Sequence, residues 1–362
     1  MDQITRKKYL LEQKERGRIL FGVFPAQYPK EILWAMNIVT AEIWDPPLEI
    51  SGANSHLQSY ICPVVRLGME LVLQGKCDFL DGFLFPHTCD SVQNMASVIN
   101  DYMGPGTPCY FFYHPKAPYW PGAQEYYLGQ LKELLNRLER QAGPLDQDKL
   151  HGAIKASNEI SRLIRQIYDH RSKGTLNCTN REFYEVIRKG EYLLPDRFIP
   201  LLEGFLRQHA TEQIKPQIPV IVSGVLPNPL ELMDKLEDLG LRVAHDDLLN
   251  TSRRLLAPSI DTSIDPLEAL TKQYFSMPPC STRGSGIEQR IEYLMGIINR
   301  TRAKGVIFNI VKYCEPEWFD VPNLQSALKE RGVPTLVLDT EINRGLPGQM
   351  VTRIEAFVEM LA

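Results

Sequence analysis

Residues 79–100 read FLDGFLFPHTCDSVQNMASVIN. The run FLDGFLFP (79–86) has the length and near-continuous apolar character of a strand buried on both faces. From Ser91 onward the apolar residues recur at helical spacing. A doubly buried strand feeding directly into a helix is half of a β-α-β unit, so this stretch predicts a parallel sheet wrapped by helices. Its seam is His87-Thr88-Cys89-Asp90, a histidine, a thiol and an acid where strand gives way to helix. Asp90 is expected to cap that helix.

The same alternation extends in both directions. RILFGVFP (18–25) reads as a strand, PKEILWAMN as a helix and AEIWDP (41–46) as a second short strand. ICPVVRLGMELVLQG (61–75) reads as a helix, and PCYFFYHP (108–115) as a strand. From Gln124 to about Gln208 the apolar period is 3.6 and strand signal is almost absent. Alternation resumes with strands IPVIVSGV (218–225), LRVAHDDL (241–248), GVIFNIVKY (305–313) and PTLVLDTE (334–341). Helices are expected between them over NPLELMDKLEDLG, 287–305 and VPNLQSALKERG, and after them over QMVTRIEAFVEML, with Asn228 as the cap of the first. The predicted fold class is α/β: two open Rossmann-like parallel-sheet domains, 1–123 and 216–362, with a helical segment, 124–215, between them. A chain of 362 residues exceeds one ordinary core, which agrees with two domains.

Composition narrows the function. Hydrophobic content of 44% with 23% charged residues is that of a globular protein. A net charge of −4 offers no basic face for nucleic acid. No apolar run approaches the ~20 residues of a membrane helix, and no secretory h-region follows the charged N-terminus, so a cytoplasmic protein is expected. GxxxxGK[ST] is absent, which argues against a P-loop; GxGxxG after a strand is absent, which argues against a nicotinamide cofactor.

Seven cysteines remain to be explained. Their number is odd and their spacing irregular, with no CxxC or HExxH, so neither a disulfide framework nor a compact zinc site is supported. Ligands of open α/β sheets gather beyond the carboxyl ends of the strands. Cys89 follows one such strand and Cys314 another, in equivalent places of the two halves. Cys62 opens a helix, with Pro63 at the first-turn position that tolerates proline. All three therefore adjoin helix N-termini, where free N–H groups and a partial positive charge favour thiolate. Three thiolates can hold three irons of a [4Fe–4S] cube, leaving the fourth open to water or a substrate oxygen. Taken singly, each thiol reads more readily as packing. Cys77, Cys109 and Cys178 are assigned to packing, and Cys280 in MPPCSTRG stays unassigned. His87 and His114 each end a strand and are positioned either to meet substrate or to cap a loop. His245-Asp246-Asp247 ends a strand and is expected as a solvated turn or a cleft wall.

These stretches together resemble a known family. ICPVVR (61–66), FPHTCDSVQ (85–93), HDDLLNTSRR (245–254), VKYCEPEWFDVPNLQSALKERGVPTLVLDTE (311–341) and GQMVTRIEAFVEM (348–360) resemble the smaller iron–sulfur subunits of the 2-hydroxyacyl-CoA dehydratase and benzoyl-CoA reductase family. The resemblance covers most of the chain in the family's order. It implies a [4Fe–4S] cluster on Cys62, Cys89 and Cys314, and an acyl-CoA substrate. It implies a homologous cluster-bearing subunit or a second copy as partner, and a separate ATP-hydrolysing iron–sulfur activator that delivers single electrons. The dehydratases form a ketyl radical from the thioester; the aromatic reductases reduce an aryl-CoA ring. Double-cubane reductases of small molecules share the cysteine set. His87 is the candidate catalytic group. A cluster-less scaffold subunit is the competing class, and a zinc hydrolase a distant third.

Overall fold

A computed structural model describes residues 5–104 and 106–361. The chain forms two compact units. Unit 1 takes the chain up to Ile160, together with Lys189–Phe198 and Pro258–Ser276; unit 2 takes Ser161–Arg188, Ile199–Ala257 and Met277–Ala362. The helical stretch 124–215 is thus shared out: the helix Ala123–Ala142 packs in unit 1, while Asn180–Arg188 packs in unit 2.

Unit 1 is built on strands β1 (Ile19–Val23), β2 (Ile38–Glu42), β3 (Gly82–Pro86) and β4 (Cys109–Phe112), all parallel in the order β2-β1-β3-β4. Unit 2 repeats the plan with β5 (Ile218–Gly224), β6 (Leu241–Leu248), β7 (Gly305–Val311) and β8 (Thr335–Thr340), in the order β6-β5-β7-β8. The expected fold class is therefore what the chain adopts. Three boundaries differ from the sequence reading. The second strand begins at Ile38 rather than Ala41, because Ile38 and Val39 pair with Ile19 and Leu20 while Asp45-Pro46-Pro47 cannot continue a ladder. The helix after β7 starts at Glu315, six residues before VPNLQSALKERG, since Pro316 sits in the first turn where no N–H is required. Pro229, not Asn228, precedes the helix Leu230–Asp238. The Asn228 side-chain oxygen instead accepts the N–H of Asn343, at 3.2 Å.

The core of unit 1 lies between its sheet and the helix Pro63–Leu73. Phe24, Phe83 and Phe85 are buried, with Phe24 stacked on Phe85 at 4.7 Å. Each such side chain contributes about 1.5–3 kcal/mol by leaving water. Glu70, on the buried side of the same helix, reaches back to the chain that leads into Cys62. It accepts the N–H groups of Ser51 and Ala53 at 3.0 and 2.9 Å, the Ser51 hydroxyl at 2.8 Å and the Gln74 amide at 2.8 Å. Burial works against its ionisation, yet these donors outweigh it and hold the carboxyl at about 2.

Unit 2 carries a larger polar core. Arg253 has no exposed surface. Its Nε and Nη2 donate to both oxygens of Asp247, at 2.6 and 2.8 Å, and its Nη1 donates to Glu317. Arg290 donates to Asp247 and to Asp320, each at 3.0 Å. Ser223 at the end of β5 donates to Asp247 at 2.8 Å. Burial pushes Asp247 up, but the two guanidinium groups prevail and hold it at about 2. His245-Asp246-Asp247 is consequently neither a solvated turn nor a cleft wall. Both aspartates are fully buried. Asp247 ties the end of β6, through Arg253 and Glu317, to the first turn of Glu315–Glu330, while Asp246 accepts from the Tyr168 and Tyr184 hydroxyls and from Thr251. Gly224 closes β5 at φ +148, with the Asn309 carbonyl oxygen crowding the place where a Cβ would stand, so this close approach admits only glycine.

Arg253→Met leaves Asp247 and Glu317 buried without their main partner. It is expected to destabilise unit 2 by about 3–5 kcal/mol, read as a lower urea midpoint. The stabilisation from Glu70 is present above its ordinary value of 4.5 and is lost as pH falls towards about 2. Glu70→Gln should therefore flatten the acid limb of the stability profile between those values, measured by urea titrations at stepped pH.

Candidate functional site

In each sheet the chain leaves the first strand to one side and returns to the other. The crossover direction therefore reverses between β1 and β3, and again between β5 and β7. At such a switch point the loops beyond the carboxyl ends diverge and leave a crevice, the usual ligand position of open α/β sheets. Cys89 follows β3 and Cys314 follows β7, so each stands on a lip of its own sheet's crevice. Cys62, Cys89 and Cys314 are the N-cap residues of Pro63–Leu73, Asp90–Ser97 and Glu315–Glu330. None of the seven cysteines is in a disulfide.

Within unit 1 the site is dense. Cys62 lies close enough to Cys89 to raise its pKa electrostatically. Burial is the largest influence and pushes the Cys89 thiol up to about 11. The N–H groups of Val92 and Ser91 and the ammonium of Lys116 pull the other way. Lys116 Nζ donates to the Thr88 carbonyl at 3.1 Å, which fixes a cation beside the thiol. Thr88 Oγ1 accepts the N–H of Ala26 at 2.7 Å and donates to the Pro25 carbonyl at 2.6 Å, stitching the loop after β1 to the loop after β3. His87 is part-exposed, with Nε2 3.6 Å from Asp90 Oδ1. Burial, then Lys116, lowers its pKa. Asp90 is the first helical residue and does not cap it.

In unit 2, Glu317 stands three residues after Cys314 and is clamped by Arg253. The charge network therefore fixes the turn that presents this thiol. Cys280 is buried against it, 3.2 Å from Thr282 Oγ1 and 3.9 Å from Arg253 Nη1, with its backbone N–H donating to Ser285 Oγ. Cys77 is buried, and burial pushes its thiol up to about 12. Cys109 and Cys178 are part-buried, each pushed up to about 11, again chiefly by burial. His114 lies inside unit 1, its Nδ1 2.8 Å from the Tyr274 hydroxyl. A cavity of about 210 Å³ beyond β8, lined by Pro229, Asp339, Thr340, Glu341 and Arg344, falls below the ~300 Å³ at which small-molecule pockets begin.

Two residues at the unit 1 crevice escape the sequence reading. Lys116 follows β4 by four residues, and its position beside Cys89 depends on the β3–β4 pairing. Gln27 follows β1, and nothing in its local sequence marks it. Among the described residues no three His, Cys, Asp or Glu side chains are gathered as a metal site. The structure brings Cys62 and Cys89 together in unit 1; Cys314 belongs to unit 2. The donor set nonetheless suits a sulfur-rich iron group. It offers thiols at N-caps, amide N–H groups directed at one sulfur, and a lysine to offset negative charge.

Comparison with known proteins agrees with this architecture. The family model for the 2-hydroxyglutaryl-CoA dehydratase D-component matches residues 25–361. The chain is 26% identical over 368 residues to the (R)-phenyllactyl-CoA dehydratase beta subunit of Clostridium sporogenes, covering 98% of this chain and 95% of that one. It is 27% identical over 343 residues to a benzoyl-CoA reductase subunit of Thauera aromatica, covering 92% and 88%. It is 23% identical over 367 residues to the (R)-2-hydroxyglutaryl-CoA dehydratase beta subunit of Acidaminococcus fermentans, covering 98% and 96%. With nearly its whole length matched, and with every strand after β1 and Cys62, Cys89 and Cys314 inside the match, the chain belongs to the 2-hydroxyglutaryl-CoA dehydratase D-component family.

Proposed function

We propose that this chain is the iron–sulfur subunit of an enzyme that transforms an acyl-CoA thioester, by 2-hydroxyacyl-CoA dehydration or by ring reduction of the benzoyl-CoA type. The observation that carries the reading is the placement of Cys62, Cys89 and Cys314 as N-caps, two of them at switch-point crevices and two of them electrostatically coupled. Those three thiols would hold a [4Fe–4S] cluster, which when bound supplies one-electron chemistry and an open Lewis-acid iron.

The chain's own residues prepare the ground for it. Helix-start N–H groups and Lys116 offset the negative charge of a thiolate-bound cluster. The Asp247–Arg253–Glu317 network holds the Cys314 turn rigid, so that ligand needs no rearrangement to receive metal. His87, part-exposed two residues from Cys89, is the group we assign to meet the substrate. The partners in this reading are a homologous subunit or second copy and a separate ATP-dependent iron–sulfur activator, which fits a chain without a P-loop.

Purification without oxygen should give about four irons and four acid-labile sulfides per chain with a brown visible spectrum. About eight of each would favour the double-cubane reductases. Values near zero after reconstitution would leave the cysteines as packing and the chain as a cluster-less partner. Cys62→Ala, Cys89→Ala and Cys314→Ala should each lose iron while keeping the far-ultraviolet circular dichroism of the parent. His87→Gln should keep its iron and lose turnover by about 10²–10⁴-fold in assays with activator, ATP and either a 2-hydroxyacyl-CoA or benzoyl-CoA. The substrate that turns over decides between the two reactions.

A further inference from the structure

His87 is the group assigned above to meet the substrate, and its imidazole has no polar anchor within the chain. Its backbone N–H donates to the Phe112 carbonyl at 2.9 Å, which fixes where the side chain starts. Asp90 Oδ1 stands 3.6 Å from Nε2, beyond hydrogen-bond range, on a side chain that is 87% exposed. Functional imidazoles are usually oriented by a hydrogen bond from one ring nitrogen, which commits that nitrogen. A group that exchanges protons with a substrate must still be held in reach and aimed. Something other than a hydrogen bond has to aim His87.

The side chain that meets the ring is Tyr113, the first residue after β4. The two rings meet edge to face, with centroids 5.7 Å apart and planes at 68°. This arrangement is favoured because an aromatic face is negative and its edge positive. Tyr113 is itself pinned from two directions. Its ring lies parallel to Phe111, at 6.4 Å, and Phe111 packs on Phe85 of β3 at 5.7 Å. Its hydroxyl accepts from Gln93 Nε2 at 3.1 Å. Gln93 stands one turn into the helix that begins after Cys89, its backbone N–H on the Cys89 carbonyl at 3.1 Å. A chain of contacts, Gln93 to Tyr113 to His87, thus runs within unit 1 from the helix that Cys89 opens to the part-exposed imidazole. Phenylalanine would supply the same ring; the hydroxyl adds the tether to that helix.

We infer that Tyr113 is the positioning residue of His87: its ring fixes the plane of the imidazole, and Gln93 fixes the ring. The inference rests on the assignment of His87 given above. An aromatic contact restrains the imidazole without occupying a nitrogen, so both nitrogens stay available to the substrate. The tether also ties the aim of His87 to the helix that presents Cys89, so the two groups hold a constant relation to each other.

The test measures iron content, kcat and KM for wild type, Tyr113→Leu, Tyr113→Phe, Gln93→Leu and His87→Gln. Two double variants are added, Tyr113→Leu with His87→Gln and Tyr113→Phe with Gln93→Leu. Histidine ring signals of the metal-free proteins are followed by nuclear magnetic resonance on isotope-labelled histidine, with His87→Gln identifying the His87 signal. Tyr113→Leu should load iron like wild type, move the His87 signal and lower kcat by about 10–10²-fold with KM little changed. Tyr113→Phe and Gln93→Leu should each cost less, and their double variant no more than either, because both break one hydrogen bond. In the His87→Gln background Tyr113→Leu should cost nothing further, since its effect passes through the imidazole. A loss as large in that background as in wild type overturns the inference and leaves the role of His87 standing. A His87 signal unmoved by Tyr113→Leu overturns it too, as does loss of iron from Tyr113→Leu, which would make Tyr113 part of the frame of the thiols. Undiminished turnover by His87→Gln overturns the assignment of His87 and the inference with it.

Discussion

A parallel strand pair cannot be closed by a tight turn, so every successive strand here is reached through a crossover. Laying four strands in the order 2-1-3-4 then obliges the chain to change direction once, after the second strand. That obligation places two divergent loops side by side at one edge of the sheet, and each helix that follows begins at that edge with unpaired N–H groups. Fold and site are therefore one construction in each unit. The thiols of Cys89 and Cys314 sit at helix starts beyond the sheet because the third strand of each sheet ends there.

The fold is legible because a doubly buried strand has an unmistakable composition. FLDGFLFP and GVIFNIVKY carry no alternation, and β7 is buried at all seven of its positions. The three cysteines are legible for a related reason: strand end, helix start and thiol lie within a few residues of one another. What stays hidden depends on contacts distant in the chain. Lys116 reaches the Thr88 carbonyl beside Cys89 from beyond β4, and the loop after β1 meets Thr88 through Ala26 across more than sixty residues. His245-Asp246-Asp247 looks solvent-bound because three polar residues at a strand end usually are. Nothing nearby discloses that Arg290, over forty residues on, and Glu317, seventy on, meet Asp247 and Arg253 there. Cys314 lies where its sequence puts it, just after β7, yet Pro322 suggests a later helix start than the true one; in the structure that proline is tolerated inside Glu315–Glu330.

Arg253 and Gln27 show two answers to the same physical demand, that a buried polar group find partners. Arg253 finds its partners within the chain: Asp247, Glu317 and Ser223 occupy its donors, and each carboxylate has a further contact in Arg290 or Ser281. A network so densely paired around Arg253 resists rearrangement, and through Glu317 it holds the turn that presents Cys314. Gln27 finds none among the described residues. A well-paired network beneath the Cys314 turn supplies rigidity; an unpaired carboxamide supplies none and costs about 1–3 kcal/mol. Selection for stability alone would have closed the second case with a hydrocarbon side chain, as it filled the neighbouring core with Phe24, Phe83 and Phe85.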